Sequence, residues 1–402
     1  MTHLSEQRFS LDHAAFTDLL AHTDNLLIIQ DLDGVCMGLV KDPLTRQLDR
    51  RYIEAVPAFN GHFYVLTNGE HVGQRGVNNI VERAMGEAAQ GKYLPGLAAG
   101  GVQWQNCQGE LSHPGVSDAE LAFLKAVPDK MSAALDAFLD QHCPALSDAD
   151  KARCIEATVL NNVASPTANL NTCYEVLQDA ALYQQLQQRM AALTQELLQA
   201  AQSQGLDSSF FVHYAPNLGR DDSGQEVIWW ADQAGSGTTD FQFMLRGAIK
   251  EAGVLALLNR YYFDKLGHHP LGIGFSAREA PRTMADMLAL AKQDLDPALM
   301  PTIVGVGDTI TSQAVDEHGQ TVFKRGGSDR NFLQLIQHLG QAFKTPNVIT
   351  YVDSSGGELK NRRPLSMELG QVASGPGDPA DADDPLTLNV VFPGGHQQYV
   401  SA

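Results

Sequence analysis

The sequence predicts an α/β protein, a Rossmann-like, doubly wound parallel sheet with an inserted α+β cap domain. Three observations predict it. Short apolar runs, LLIIQ at 26–30, FYVLT at 63–67 and TIVGVG at 302–307, have the length and continuity of strands covered on both faces. Each run ends in polar residues, and an open parallel sheet binds its ligands beyond the carboxyl ends of its strands. More than 200 residues separate the second run from the third. That is too long for a connection in a compact domain, so a further domain must be inserted there.

A helical segment is expected around residues 51–59, between the first two strands. The insertion is placed at 72–277, leaving 1–71 and 278–402 as a discontinuous core. Within it, Leu182, Leu186, Met190, Leu193 and Leu197 mark an amphipathic helix that stops near Gly205. FFVHYAP at 210–216 and EVIWWAD at 226–232 read as strands around the GRDDSG turn at 219–224. After the insertion, Met284, Met287, Leu288, Ala291 and Leu295 follow helical spacing, with Pro281 suited to a first turn. This is the expected crossover helix into the third strand. The Gly-, Pro- and Asp-rich segment 370–385 reads as a mobile surface stretch, and LTLNVVF at 386–392 as a returning edge strand.

Composition narrows the functional classes. A chain of 402 residues is larger than one usual core, which favours two compact units. Acidic residues outnumber basic ones 47 to 28, for a formal charge of -19 that repels nucleic acid and anionic membrane surfaces. Neither is an expected partner. An anionic substrate would then need a local positive centre such as a metal. The five cysteines form no CxxC pair and read as reduced thiols. With no basic, apolar leader and no run of about 18 apolar residues, a soluble cytoplasmic protein is expected.

The chemistry concentrates at the three strand ends. In DLDGV at 31–35, Asp31 and Asp33 are carboxylates two positions apart beyond a buried strand, where desolvation and repulsion both oppose ionisation. A hard divalent cation, magnesium or calcium, resolves that conflict. Taken alone, the segment also fits an acidic turn on Gly34. LTNGE at 66–70 offers the Thr67 hydroxyl and the Asn68 amide to phosphate oxygens, and GVGDT at 305–309 offers Asp308 to the metal. Either could be a simple turn or cap, but three such ends in order are hard to ascribe to chance.

The combination of DLDGV, LTNG and GVGDT resembles the haloacid dehalogenase superfamily of phosphotransferases. The resemblance implies that Asp31 attacks phosphorus to form an aspartyl-phosphate, while Asp33 protonates the leaving oxygen and then deprotonates water. It implies Mg2+ held by Asp31, the Asp33 backbone carbonyl and Asp308, with Thr67 and the backbone around Asn68 on the phosphoryl oxygens. The family also places a Lys or Arg near the start of the helix before the last motif. Arg282 in EAPRTM is the match chosen, with Lys292 and Arg278 as rivals. The spacing puts the cap after the second motif, as in the branch of sucrose- and trehalose-phosphate phosphatases.

A closer resemblance, to the glucosylglycerol-phosphate phosphatase family, rests on LLIIQDLDGVCMGLVKDPLTR, RGGSDRNFL at 325–333 and YVDSSGGELKNRRP at 351–364. It implies 2-O-(glucosyl)glycerol 3-phosphate as substrate, a role in compatible-solute synthesis, and glucosylglycerol-phosphate synthase as functional partner. Sucrose or trehalose phosphate and a non-catalytic sugar-phosphate sensor are the alternatives. Glu70, His213, Trp230 and Asp232 are candidate sugar contacts, because aromatic rings stack on sugars and carboxylates accept their hydroxyl hydrogens. An exposed loop acid, and core packing for one of the two adjacent tryptophans, are the plainer readings. GGSDR at 326–330 could present backbone N–H groups to an anion, or simply cap the next helix.

Overall fold

The computed structural model describes residues 3–220, 226–233, 235–317, 319–359 and 362–402, so most of the GRDDSG turn lies outside the described residues. The chain divides into two compact units. The larger comprises Met1–His71, Arg75–Gly115 and Gly247–Ala402, and the smaller Val72–Gln74 and Val116–Arg246.

The larger unit is built on an eight-stranded sheet. Its spatial order is Val390–Phe392, Val348–Val352, Thr302–Gly307, Leu26–Gln30, Phe63–Leu66, Gly96–Ala98, Gln103–Gln105 and Leu111–Ser112. The first six run parallel; Gln103–Gln105 then pairs antiparallel with Gly96–Ala98, and Leu111–Ser112 antiparallel with Gln103–Gln105. The continuous apolar runs have a direct cause, because successive residues of a strand point to opposite faces. Leu27 and Ile29 enter one core with Tyr64, Leu66 and Ile303, whereas Leu26 and Ile28 enter the other with Val65, Val304 and Val306. Helices Lys250–Leu266, Met284–Asp294 and Arg330–Phe343 cover the first face; His13–His22, Arg50–Ala55 and Val77–Met85 cover the second. Each fully buried Leu or Ile contributes about 1.5–3 kcal/mol. A charged residue at Ile29 would oppose the sheet at its centre.

The boundaries of the insertion differ from 72–277. Strand Gly96–Ala98 pairs with Phe63–Leu66 through Val65 and Leu66, and Gln103–Gln105 and Leu111–Ser112 extend the same sheet. Helix Lys250–Leu266 buries Ala252, Leu255, Leu258 and Tyr262 in the first core. Residues 75–115 and 247–277 therefore belong to the larger unit.

The smaller unit holds a four-stranded antiparallel sheet, ordered Val159–Leu160, Thr167–Asn169, Asp240–Leu245 and Phe210–Ala215. The expected amphipathic helix is Ala180–Ser203, which buries Leu186, Met190, Leu193 and Leu197. Asp179 caps it by accepting from the Ala181 and Leu182 amides, and Gly205 follows with φ +75°. The EVIWWAD strand is shorter than expected. It spans Glu226–Ile228, leaving Trp229 and Trp230 exposed past its end.

Three further expectations meet the structure. Val390–Phe392 is a parallel edge strand beside Val348–Val352. The crossover helix starts later than Pro281, because the Thr283 hydroxyl accepts the Asp286 amide at 3.1 Å and sets the N-cap there. Segment 370–385 is tied down rather than loose. Gln371–Ser374 pairs with Ser366–Glu368, Asp381 takes a bidentate Arg325 at 2.6 and 2.9 Å, and Asp384 takes Arg330 at 2.7 and 2.8 Å.

Candidate active site

The register of the parallel strands brings the three motif ends together. Gln30 lies opposite Val306 on one side and Val65 on the other, so Asp31, Thr67 and Asp308 all emerge one or two residues beyond a single row. The Asp31 amide donates to the Val306 carbonyl at 2.9 Å, which holds the first motif against the last. The chain then turns at Gly34, with φ +81° and its amide on the Met37 carbonyl at 2.8 Å. A Cβ there would collide with the Asp308 carboxylate, so glycine is required by both conformation and space.

The carboxylates of Asp31, Asp308 and Asp329 are buried and offer ligand oxygens within 4.8 Å of one another. Asp329 comes from the GGSDR segment. Instead of presenting N–H groups outward, this segment turns the Asp329 side chain inward to accept the amides of Asp308 at 2.9 Å and Thr309 at 3.0 Å. A Cβ on Gly307 would sit 2.8 Å from that carboxylate, so the last strand must end in glycine for Asp329 to approach.

The cation in this cluster is Lys250, the first residue of helix Lys250–Leu266 and only 3% exposed. Its ammonium lies 2.8 Å from Asp31 Oδ2 and 2.7 Å from Asp329 Oδ1. Burial opposes its charge, but the two carboxylates outweigh that and hold its pKa above the ordinary value. Arg282 does not take this place. It is exposed, and its Nη2 donates to the Arg278 carbonyl at 2.9 Å.

One lysine cannot neutralise three buried carboxylates. Burial, then Lys250 acting in opposition, then the charges of Asp329 and Asp308 leave Asp31 well above the usual carboxylate range. Burial and the neighbouring Asp329 push Asp308 up to about 7, against the nearby Ser354 hydroxyl and a hydrogen bond from Thr309 Oγ1 at 2.7 Å. Asp329 alone is held below its ordinary value, because Lys250 and two backbone amides overcome its burial. Asp308 Oδ2 is buried without a hydrogen bond, its ion-pair partner being Arg362 Nε at 3.8 Å. An all-oxygen donor set, excess negative charge and an unsatisfied buried oxygen fit a hard divalent cation.

These shifts have a measurable sign. The folded value of Asp308 lies above the unfolded one of about 3.9, so its contribution is full at low pH and is lost as pH rises through about 7. In EDTA, Asp308→Asn is expected to melt above wild type by a margin that widens from pH 4 to 7 and then levels. A constant margin in thermal unfolding would contradict the raised carboxyl.

The other expected site residues fall in different surroundings. Asp33 is half-buried, and Arg46 Nη1 lies 3.0 and 3.3 Å from its two oxygens. Its side chain is not one of the three clustered carboxylates. Thr67 is buried, its hydroxyl accepting the Gly69 amide at 3.3 Å, while Asn68 is exposed. Glu70 is buried rather than an exposed loop acid, and accepts from Gln103 Nε2 at 3.2 Å. His213, Trp230 and Asp232 belong to the smaller unit. There His213 Nδ1 lies 3.0 Å from both Glu226 oxygens, Asp232 accepts the Gly235 amide at 3.1 Å, and Trp230 is exposed.

Comparison with known proteins places the chain, rather than any single residue, in a family. A family profile described as Glucosylglycerol-phosphate phosphatase matches residues 25–402. A glucosylglycerol-phosphate phosphatase of Synechocystis sp. (strain ATCC 27184 / PCC 6803 / Kazusa) is 59% identical over 408 aligned residues, spanning 99% of this chain and 96% of that protein. Among solved structures, the C-terminal domain of C. albicans trehalose-6-phosphate phosphatase superposes with a TM-score of 0.45 at 9% identity, over 98% of this chain and 96% of that one. The C-terminal domain of the Candida albicans trehalose synthase regulatory protein gives 0.42 at 8% identity, over 93% and 96%. On the length and identity of the sequence match, the chain belongs to the glucosylglycerol-phosphate phosphatase family.

Proposed function

We propose that this phosphatase hydrolyses 2-O-(glucosyl)glycerol 3-phosphate to glucosylglycerol and phosphate, as a step of compatible-solute synthesis. The observation that carries the mechanism is the Lys250-bridged cluster of Asp31, Asp329 and Asp308 at the carboxyl ends of parallel strands. The substrate assignment follows the family and the 59% identical relative.

In this reading Asp31 attacks phosphorus in line with the leaving glycerol oxygen, forming an aspartyl-phosphate. Asp33 protonates that oxygen as it departs, then takes a proton from the water that opens the acyl phosphate. Lys250 holds the Asp31 carboxylate in place. Thr67 and the backbone around Asn68 orient the phosphoryl oxygens. Asp31, Asp308 and Asp329, with the Asp33 carbonyl, would hold Mg2+, which offsets charge on the transferring phosphoryl group. Action on a small sugar phosphate in the cytoplasm is part of this reading; among the described residues no helix is long and apolar enough to cross a membrane. Glucosylglycerol-phosphate synthase is the functional partner this role implies.

The test is phosphate release by the purified chain from glucosylglycerol 3-phosphate, sucrose 6-phosphate and trehalose 6-phosphate, each with Mg2+ and with EDTA. Magnesium-dependent release, strongest from the first substrate, is expected. Equal or stronger release from either disaccharide phosphate would overturn the substrate assignment.

A further inference from the structure

A second buried cation faces the second carboxylate of the DLDGV motif. Arg46 is only 8% exposed, and each corner of its guanidinium is engaged. Nε donates to the Pro43 carbonyl at 3.0 Å, and Nη2 donates to the Arg75 carbonyl. Nη1 alone is turned to Asp33, at 3.0 and 3.3 Å from its oxygens. The Arg46 carbonyl is in turn held by Arg83 Nη2 at 3.0 Å. Asp42 begins this local structure by accepting the Leu44 amide at 2.9 Å, which sets the short Pro43–Thr45 turn that delivers Arg46.

We infer that Arg46 is a positioning residue that fixes the Asp33 carboxylate for proton transfer. The inference rests on the reading of Asp33 as acid and base in the proposed reaction. Asp33 needs such a partner more than Asp31 does, since its side chain is 34% exposed and free to choose among rotamers in water. Proton transfer requires heavy atoms about 2.6–3.2 Å apart, and a misplacement of about 1 Å can cost on the order of 10²-fold in rate. A guanidinium pinned at two corners to backbone carbonyls is a rigid fork, and a lysine cannot reproduce it. The pair also abuts the second motif. A Cβ on Gly69 would lie 3.9 Å from both Arg46 Nη1 and Asp33 Oδ2, and 3.7 Å from the Thr67 hydroxyl.

The test uses the dependence on leaving group. A glycerol oxygen must receive a proton as it departs, whereas p-nitrophenolate leaves without one, and kcat/KM reports the steps up to that departure. Arg46→Ala is expected to lower kcat/KM for glucosylglycerol 3-phosphate by about 10²-fold and for p-nitrophenyl phosphate by less than about 5-fold. Arg46→Lys, which keeps the charge and is the second variant should alanine impair folding, is expected to show the same split at about 10-fold. In an Asp33→Asn background, Arg46→Ala is expected to change neither value by more than about 2-fold. Equal losses on both substrates, or a full further loss in the Asp33→Asn background, would show that Arg46 merely supports the fold. Wild-type protein that releases phosphate from neither substrate would instead overturn the phosphatase reading beneath the inference.

Discussion

Asp31→Asn is expected to abolish phosphate release, by on the order of 10⁴-fold or more, while the protein remains folded and in the absence of metal becomes more stable. The activity loss follows because an amide cannot form the acyl phosphate, and no other carboxylate in the cluster ends the central strand. The stability gain follows from the environment. Asp31 is buried beside Asp329 and Asp308, and its folded pKa lies well above the ordinary one despite Lys250. A raised carboxyl contributes stability that is full below its unfolded pKa and lost as pH rises, so wild type carries a penalty at neutral pH that the neutral amide does not. Lys250 keeps Asp329 as its partner at 2.7 Å, so the substitution leaves no buried cation alone. Thermal unfolding in EDTA should show the variant at or above wild type at pH 7, and nearer to it at pH 4. With Mg2+ the order should narrow or reverse, since a cation that binds the folded state stabilises the protein with more ligands most. A variant that turns over at the wild-type rate would exclude Asp31 as nucleophile.

The parts of this site that were legible in the sequence are those a strand delivers. Asp31 and Asp308 directly follow the buried runs Leu26–Gln30 and Thr302–Gly307, and register alone makes such ends meet. Lys250 carries no comparable mark. It reaches the carboxylates because helix Lys250–Leu266 packs its apolar face on the sheet, a tertiary fact that spacing does not encode. An insertion ending at 277 encloses this whole stretch in the cap and leaves Arg282 as the candidate cation. The boundary is at Arg246, which makes helix Lys250–Leu266 the first after the insertion. The error in boundary and the error in residue are one error.

Asp329 was hidden differently. The hairpin formed by Thr311–Glu317 and Gln320–Gly326 separates it from Asp308, so two carboxylates that share one site stand 21 positions apart. The strands Gly96–Ala98, Gln103–Gln105 and Leu111–Ser112 are too short to leave a pattern, and pairing with a neighbour defines them. In segment 370–385 composition argued for looseness. Two of the four aspartates that make it polar, Asp381 and Asp384, are the groups Arg325 and Arg330 hold, and charge pairing across more than fifty residues cannot be read locally.

Removing the lysine should expose what it balances. Lys250→Met is expected to cost about 3–5 kcal/mol at pH 7, because taking one partner from a buried ion pair leaves its carboxylates uncompensated. The sign with pH identifies the cause. In the wild type Asp329 is held below its ordinary pKa, so its contribution is present above the unfolded value and lost as pH falls through the folded one. Without Lys250 its burial dominates and its pKa rises, so the contribution becomes one present at low pH and lost on raising it. The stability gap between variant and wild type should therefore shrink as pH falls from 7 to about 4, whereas a cavity left by a lost side chain would give a gap that does not change. Mg2+ should recover part of the stability, since it supplies positive charge to the same oxygens, but not the activity. The Asp31 carboxylate would lack its 2.8 Å anchor, and loss of one such aimed donor costs about 10²–10³-fold. Lys250→Arg should not rescue either. The ammonium sits 5.6 Å from the Phe332 ring centre in a slot 3% exposed, and a guanidinium is too broad to enter it without displacing that ring. Unfolding curves for both variants across pH, with phosphate release measured alongside, would decide the matter; a methionine variant as stable as wild type at pH 7, or within about 10-fold of its activity, would place the balancing charge elsewhere.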